Sequence, residues 1–317
     1  METTVDINRV HPELRKGLSM MPAGVFTKEG LPTMRKAMGQ MMIQAAAPDP
    51  SVNVYNKTVP GPEGSPDVRI RIYEPVVKSG KRPGILYIHG GGYIVGSPEM
   101  TDFTCIHMVQ EIGCVVVSVD YRLSPETTYP GPLEDCYAAL RWFASSAEET
   151  GVDADRIAVA GGSAGGGLAA ALALLARDRK GPAIAFQAPL YPMLDDRNIT
   201  PSSYEFTDKR FWNRTKNEFG WEMYLGELYK GDVPEYAAPA RAADLSGLPP
   251  TFTLVGELDL FRDETIEYCS RLLRAGVPVE LHIYPGCYHG FDMNLNNEIG
   301  RRAENEIIQA LKRALTG

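Results

Sequence analysis

A chain of 317 residues can bury a large core, and it suits one α/β domain with an added subdomain better than two independent domains. Its net charge of −8 argues against nucleic acid and anionic membranes as partners, because both recruit basic patches. The first thirty residues carry charge throughout, and no uncharged apolar run is long enough to cross a bilayer, so neither a signal peptide nor a membrane span is expected.

Residues 1–50 read as helical and polar, with Met34, Met38, Met41 and Met42 spaced to form one apolar stripe. A flexible cover over a pocket and an ordinary amphipathic helix packed on a core both fit that stripe. Pro48 and Pro50 then break the helix. Two alternating stretches, 52–59 and 68–73, flank Pro60, Gly61, Pro62 and Gly64, which is a hairpin signal.

Beyond the hairpin, apolar strands at 84–88, 115–119, 157–160, 183–188, 251–255 and 279–284 alternate with helical stretches at 101–113, 133–146, 164–178 and 262–275, and a last helix covers 298–315. That rhythm predicts an α/β fold with a mostly parallel sheet covered by helices on both faces, the hairpin adding an antiparallel edge. The rhythm breaks between Pro192 and Pro250, where Phe206, Phe211, Trp212, Phe219, Trp221, Tyr224 and Tyr229 cluster in a helical excursion. An aromatic-rich insertion at the carboxyl end of a strand lies where ligands bind in open sheets. It reads as a cap formed jointly with the N-terminal helices, against peripheral packing as the plainer alternative. The implied organisation is cap at 1–50, core at 51–191, inserted cap at 192–248 and core again at 249–317.

The chemistry centres on Gly161-Gly162-Ser163-Ala164-Gly165, which joins an apolar run to a helical one. A serine at a tight strand-to-helix turn has its hydroxyl held clear of the backbone, and the helix N-terminus favours developing negative charge. Glycines two residues before and after are needed because a side chain there would collide with the neighbouring strand or helix. Three consecutive glycines in His89-Gly90-Gly91-Gly92-Tyr93 leave backbone N–H groups uncovered, so Gly91, Gly92 and Ala164 are the expected oxyanion donors. A phosphate cradle would want a lysine followed by serine or threonine, and none follows.

A serine needs a base. Of five histidines, only His289 sits just past the last predicted strand, at the sheet end where Ser163 must also be. His89 leads the glycine loop and is expected to brace it. The orienting carboxylate is expected between serine and histidine in the chain, and Asp259 is the choice, with Glu257 the alternative. Asp263 and Glu264 fall in a first helical turn, where acids complement the dipole without any catalytic role. The five cysteines, an odd number without metal-ligand spacing, read as reduced core residues of a cytoplasmic protein, and Cys287 is a weaker nucleophile candidate than Ser163.

Taken together, His89-Gly90-Gly91-Gly92-Tyr93, the run from Asp120 through Tyr121, Arg122, Leu123, Ser124 and Pro125 to Glu126, the Ser163 turn, the acids from Asp259 to Glu264, and His289-Gly290-Phe291 resemble the hormone-sensitive-lipase-like family of α/β-hydrolase esterases, often called bacterial family IV. The resemblance implies the α/β-hydrolase fold with a helical cap. It maps Ser163, Asp259 and His289 onto a catalytic triad, and Gly91, Gly92 and Ala164 onto an oxyanion hole. It also implies a small ester substrate with a short to medium acyl chain. No cofactor or metal is expected, since backbone amides supply the electrophilic assistance. Amide or carbamate hydrolysis would use the same atoms. Some relatives of this fold instead sense small ligands after losing the histidine, which is present here. A homodimer is compatible with the resemblance. Two departures stand out: Gly162 replaces the family's usual acid before the nucleophile, and Leu260-Phe261 replaces the usual Pro-Leu after the aspartate. The first is expected to bear on the rigidity of the turn and on the pH profile. Arg122 and Glu126 are expected to fix a strand end.

Overall fold

Short runs of β-branched and aliphatic residues assemble into one eight-stranded sheet in the computed structural model, which describes residues 4–20, 24–43, 49–77 and 80–317. The strands are β1 (Val52–Val59), β2 (Val68–Pro75), β3 (Arg82–Ile88), β4 (Val115–Asp120), β5 (Val152–Gly162), β6 (Phe186–Leu190), β7 (Thr251–Leu258) and β8 (Val279–Tyr288). Their order across the sheet is β1-β2-β4-β3-β5-β6-β7-β8. The leading hairpin is antiparallel within itself and to β4, and all other neighbours are parallel. Every residue of β3 is buried, as expected of a strand covered on both faces.

The helices are α1 (Pro12–Met20), α2 (Leu31–Ile43), α3 (Asp102–Ile112), α4 (Gly131–Ser145), α5 (Ala147–Thr150), α6 (Ala164–Asp178), α7 (Pro201–Glu205), α8 (Arg214–Leu225), α9 (Arg262–Arg274) and α10 (Glu298–Thr316). Helix α6 packs with α4 and α9 on one face of the sheet, and α3 packs with α10 on the other. Among the described residues no helix is long and apolar enough to cross a membrane.

Among the described residues the N-terminal stretch holds two helices, with a turn before α2, where the Met34 N–H donates to Gly30 O at 3.0 Å. Met34 and Met38 pack with Leu31, Ile94 and Val95, together with Phe26, Trp212, Phe219 and Met223. The side chains of Met41 and Met42, and Pro48, lie outside the described residues.

The excursion between β6 and β7 carries α7 and α8 and no strand. Asn213 caps α8 by accepting the Lys216 N–H. Its aromatics divide by destination. Phe206, Phe211, Trp221 and Tyr224 join the main core, Tyr224 stacking on Tyr93 at 4.0 Å between ring centroids. Phe219 faces the N-terminal segment, and Trp212 packs both on the main core and on that segment, Phe26 lying 5.7 Å from Trp212 and 6.4 Å from Phe219. The two segments therefore share one apolar cluster over the loop that follows β3. Arg35 of α2 ties them down, donating to Ile94 O at 2.7 Å, to Ser124 O at 2.6 Å and to both oxygens of Glu126.

Candidate active site

The Ser163 turn is built by steric necessity. Strand β5 ends at Gly162, α6 starts at Ala164, and Ser163 between them holds φ 59° and ψ −122°, a conformation L-residues rarely adopt. A methyl group on Gly161 would lie 2.5 Å from Ile88 O, and one on Gly165 would lie 2.1 Å from the same oxygen. Glycine at both places lets β5, α6 and β3 meet close enough to form the bend. The neighbouring strand pins it: Ser163 N–H donates to Leu190 O at 2.9 Å, and Ser163 O accepts from Met193 N–H at 3.0 Å.

Strands β7 and β8 run further than their apolar cores predict, to Leu258 and Tyr288, and so deliver Asp259 and His289 directly at the sheet's carboxyl end. His289 Nε2 lies 2.9 Å from Ser163 Oγ, and His289 Nδ1 lies 2.8 Å from Asp259 Oδ2. A carboxylate can only accept, so Nδ1 carries the proton and Nε2 is left to accept from the serine hydroxyl. The other oxygen of Asp259 accepts the Phe261 N–H at 2.9 Å, which fixes the carboxylate's rotation. Asp259 is fully buried, while Ser163 is 7 % and the His289 side chain 12 % exposed. Phe261 and Tyr191 meet the imidazole edge to face at 5.2 and 5.0 Å.

The glycine loop runs beside the serine: a methyl on Gly90 would sit 3.5 Å from Ser163 Cβ. Gly91 and Gly92 have φ of 115° and 60°, and their amides donate to no backbone carbonyl among the described residues. The Ala164 amide opens α6 alongside. The Trp212 indole covers this loop, its Cη2 only 2.1 Å from where a Gly92 side chain would begin.

The remaining candidates lie elsewhere. His89 is buried and stacked on Tyr121 at 4.3 Å, with Nδ1 donating to Gly90 O at 2.8 Å; burial pushes the pKa of its imidazole down, and it braces the loop. His282 sits against Glu306 and Glu280, and His107 beside Glu304 and Glu111. Glu257 accepts the Gly286 N–H at 2.9 Å and does not reach His289 with a hydrogen bond. All five thiols are free and buried, and burial pushes Cys287 up to about 12, far from a thiolate at neutral pH.

Two expectations need correction. Glu264 does more than complement a helix dipole: it is buried, its carboxylate accepts Leu194 N–H at 2.7 Å, and it ties α9 to the chain leaving β6. Burial holds its pKa well above the ordinary glutamate value. Glu126 bonds Arg35 of α2, so it anchors the N-terminal segment, whereas Arg122 does brace a strand end through its bidentate pair with Asp135. Sequence reasoning does not reach three residues around His289. Phe261 and Tyr191 contact His289, and the Tyr191 hydroxyl donates to Asp292 Oδ2 at 3.0 Å. The signal available for Tyr191 and Asp292 was Gly162, since the space left by a missing side chain beside Ser163 is filled by Tyr191.

The sequence profile of the family described as alpha/beta hydrolase fold matches residues 85–293, a span that includes Ser163, Asp259 and His289. The chain belongs to this family. Within it the chain is a hormone-sensitive-lipase-like esterase by relationship. It is 37 % identical to Esterase LipI of Mycobacterium tuberculosis over 285 residues, which covers 89 % of this chain and 88 % of that protein. To Carboxylesterase NlhH of the same species it is 36 % identical, covering 99 % of each. Among solved structures, the protein described as Bacterial Heroin Esterase superposes with a TM-score of 0.93 at 44 % identity, covering 98 % of this chain and 99 % of that one. Esterase LipW from Mycobacterium marinum superposes with a TM-score of 0.89 at 37 % identity, covering 99 % and 98 %.

Proposed function

We propose that this α/β-hydrolase is a serine carboxylesterase that hydrolyses small esters of short to medium acyl chain through an acyl-enzyme. The observation that carries the reading is His289 hydrogen-bonded at once to Ser163 Oγ and Asp259 Oδ2, beside uncovered glycine amides. Ser163 Oγ attacks the ester carbonyl carbon while His289 Nε2 takes the hydroxyl proton. The carbonyl oxygen becomes negative, and the amides of Gly91, Gly92 and Ala164 stabilise it, each donor contributing about 3 kcal/mol. As the C–O bond breaks, His289 passes its proton to the leaving alcohol. Water then attacks the acyl carbon, gives its proton to His289 and releases the acid, returning the hydroxyl to Ser163. Asp259 holds the tautomer and stabilises the transient imidazolium.

The preference for smaller acyl groups rests on the segments 1–50 and 192–248 acting as a cap, supported by Trp212 lying over Gly92 and by the low exposure of Ser163. All six residues named in the chemistry come from one chain, so a homodimer would not be needed to complete the site. Five free, buried thiols suit a reducing compartment, which is the support for a cytoplasmic location. Hydrolysis of p-nitrophenyl butyrate by wild type and Ser163→Ala tests the reading. Turnover in the wild type and its loss in the variant is the expected result. No turnover in the wild type favours a ligand receptor, and faster cleavage of p-nitroanilides than of esters favours an amidase.

A further inference from the structure

The imidazole of His289 rests on more than its two hydrogen-bond partners. Tyr191 follows β6 directly, at the unusual φ of 32°, with its amide pinned to Leu254 O at 2.8 Å. Its ring presents to His289 at 77°, and its hydroxyl lies 3.0 Å from where a side chain at Gly162 would begin. The volume next to the nucleophile is thus filled from β6 rather than from the turn itself.

The Tyr191 hydroxyl donates to Asp292, three residues beyond His289 in the turn Phe291–Met293. The second carboxyl oxygen of Asp292 is shut off from solvent and has no hydrogen-bond partner among the described residues. Burial raises this carboxyl to about 6, opposed by the Tyr191 hydrogen bond and by the proximity of His289. The other titratable groups facing it are Tyr87 of β3, Cys287 of β8 and Glu304 of α10, with His107 of α3 behind Glu304 at 3.2 Å. Tyr87 and Cys287 are both raised by burial and stay neutral, and a negative Glu304 opposes ionisation of Asp292. Of the groups acting on Asp292 directly, His289 is the one whose protonated form favours its anion, while His107 stands behind Glu304.

We propose that Tyr191 and Asp292 are positioning residues for the reaction: the Asp292 carboxylate, held by the Tyr191 phenol that also packs on the His289 ring, supplies a second negative charge that stabilises the His289 imidazolium. The Tyr191 link between the His289 ring and the Asp292 carboxyl is a property of the fold; its catalytic meaning rests on His289 being the base. Two interacting groups titrate as a pair, so the acid limb of the rate should report both. An ionised Asp292 strengthens proton uptake by His289 at the moment Ser163 attacks.

The test uses the full-length protein, with D292N and Y191F. The His289 ring titration, followed by NMR, is expected to move to lower pH in D292N by about half to one unit, a roughly threefold to tenfold weaker proton affinity. With p-nitrophenyl butyrate, D292N should lose about tenfold in kcat at nearly unchanged KM. In Y191F, Asp292 loses its donor and ionises only at higher pH, so that variant's deficit should be greatest near pH 6 and shrink towards pH 9. An NMR midpoint and an acid limb that superimpose on the wild type, with rates merely scaled at every pH, would overturn the proposal and leave a packing role. If D292N fails to fold, the pH-dependence of the Y191F deficit decides alone, a constant deficit refuting it. A shifted NMR midpoint without any ester hydrolysis would keep the coupling and sink the esterase reading, so the two failures are separable.

Discussion

Asp259→Asn changes one atom at the site and separates charge and tautomer from packing. Asp259 Oδ1 accepts the Phe261 N–H at 2.9 Å, so in the variant the amide oxygen must stay there, because an NH2 group would face another donor. The amide nitrogen is then left 2.8 Å from His289 Nδ1, where it can only donate. A neutral imidazole responds by leaving Nδ1 bare and carrying its proton on Nε2, which faces the Ser163 hydroxyl 2.9 Å away. The base then arrives already protonated at the atom that must accept. A wrong tautomer of this kind costs about 10⁴ in kcat, which at 1.36 kcal/mol per decade is roughly 5.4 kcal/mol of transition-state stabilisation. The assay is steady-state hydrolysis of p-nitrophenyl butyrate, with thermal unfolding as the control for folding. A loss of less than tenfold in a normally folded variant would refute the assignment of Asp259 as the orienting carboxylate.

Arg35→Ala removes the side chain that holds α2 to Ile94 O and Ser124 O, and its pairing with the well-exposed Glu126 adds little. The expected result is a rise in KM of about fivefold with kcat nearly unchanged, because α2 is loosened from Ile94 and Ser124 while Ser163, His289 and Asp259 are not touched. Glu264→Gln keeps an acceptor for Leu194 N–H while removing a buried ionisable group. Since burial holds the folded-state pKa above the ordinary glutamate value, the folded protein retains a proton that the unfolded chain releases, and wild-type stability falls as pH rises above that ordinary value. The glutamine variant lacks that slope, so its thermal midpoint should exceed the wild type's at pH 8 and lose this advantage near pH 4. A constant difference across that range would show that Glu264 does not titrate differently on folding.

The fold and the meeting of Ser163, His289 and Asp259 were legible for related reasons. Buried parallel strands need unbroken apolar runs, and β3 and β4 announce themselves that way. Ser163, Asp259 and His289 could be chosen because each follows such a run, and all strand ends on one side of a parallel sheet converge. Strand β5 begins at Val152, earlier than its apolar part, because Asp153, Asp155 and Arg156 are polar residues beyond the core. The position of the turn before α2 has no sequence signal of its own, because the polar pattern continues through it. Contacts with large sequence separation left no local trace. Tyr191 meets Asp292 across 101 residues, and Arg35 meets Glu126 across 91, so only the folded chain pairs them. Glu264 was misread because an acid in a first helical turn is ordinary, and nothing nearby in sequence reveals that this one faces Leu194.

Whether Ser163 becomes the acyl carrier is answered most directly by covalent capture. The full-length enzyme is treated with a fluorophosphonate, which is attacked by an activated serine and leaves a stable adduct, and the labelled peptide is located by mass spectrometry. One adduct per chain on Ser163, absent from Ser163→Ala, is the predicted result. An actively hydrolysing preparation that takes no label at Ser163, or an equally active Ser163→Ala variant, would contradict it.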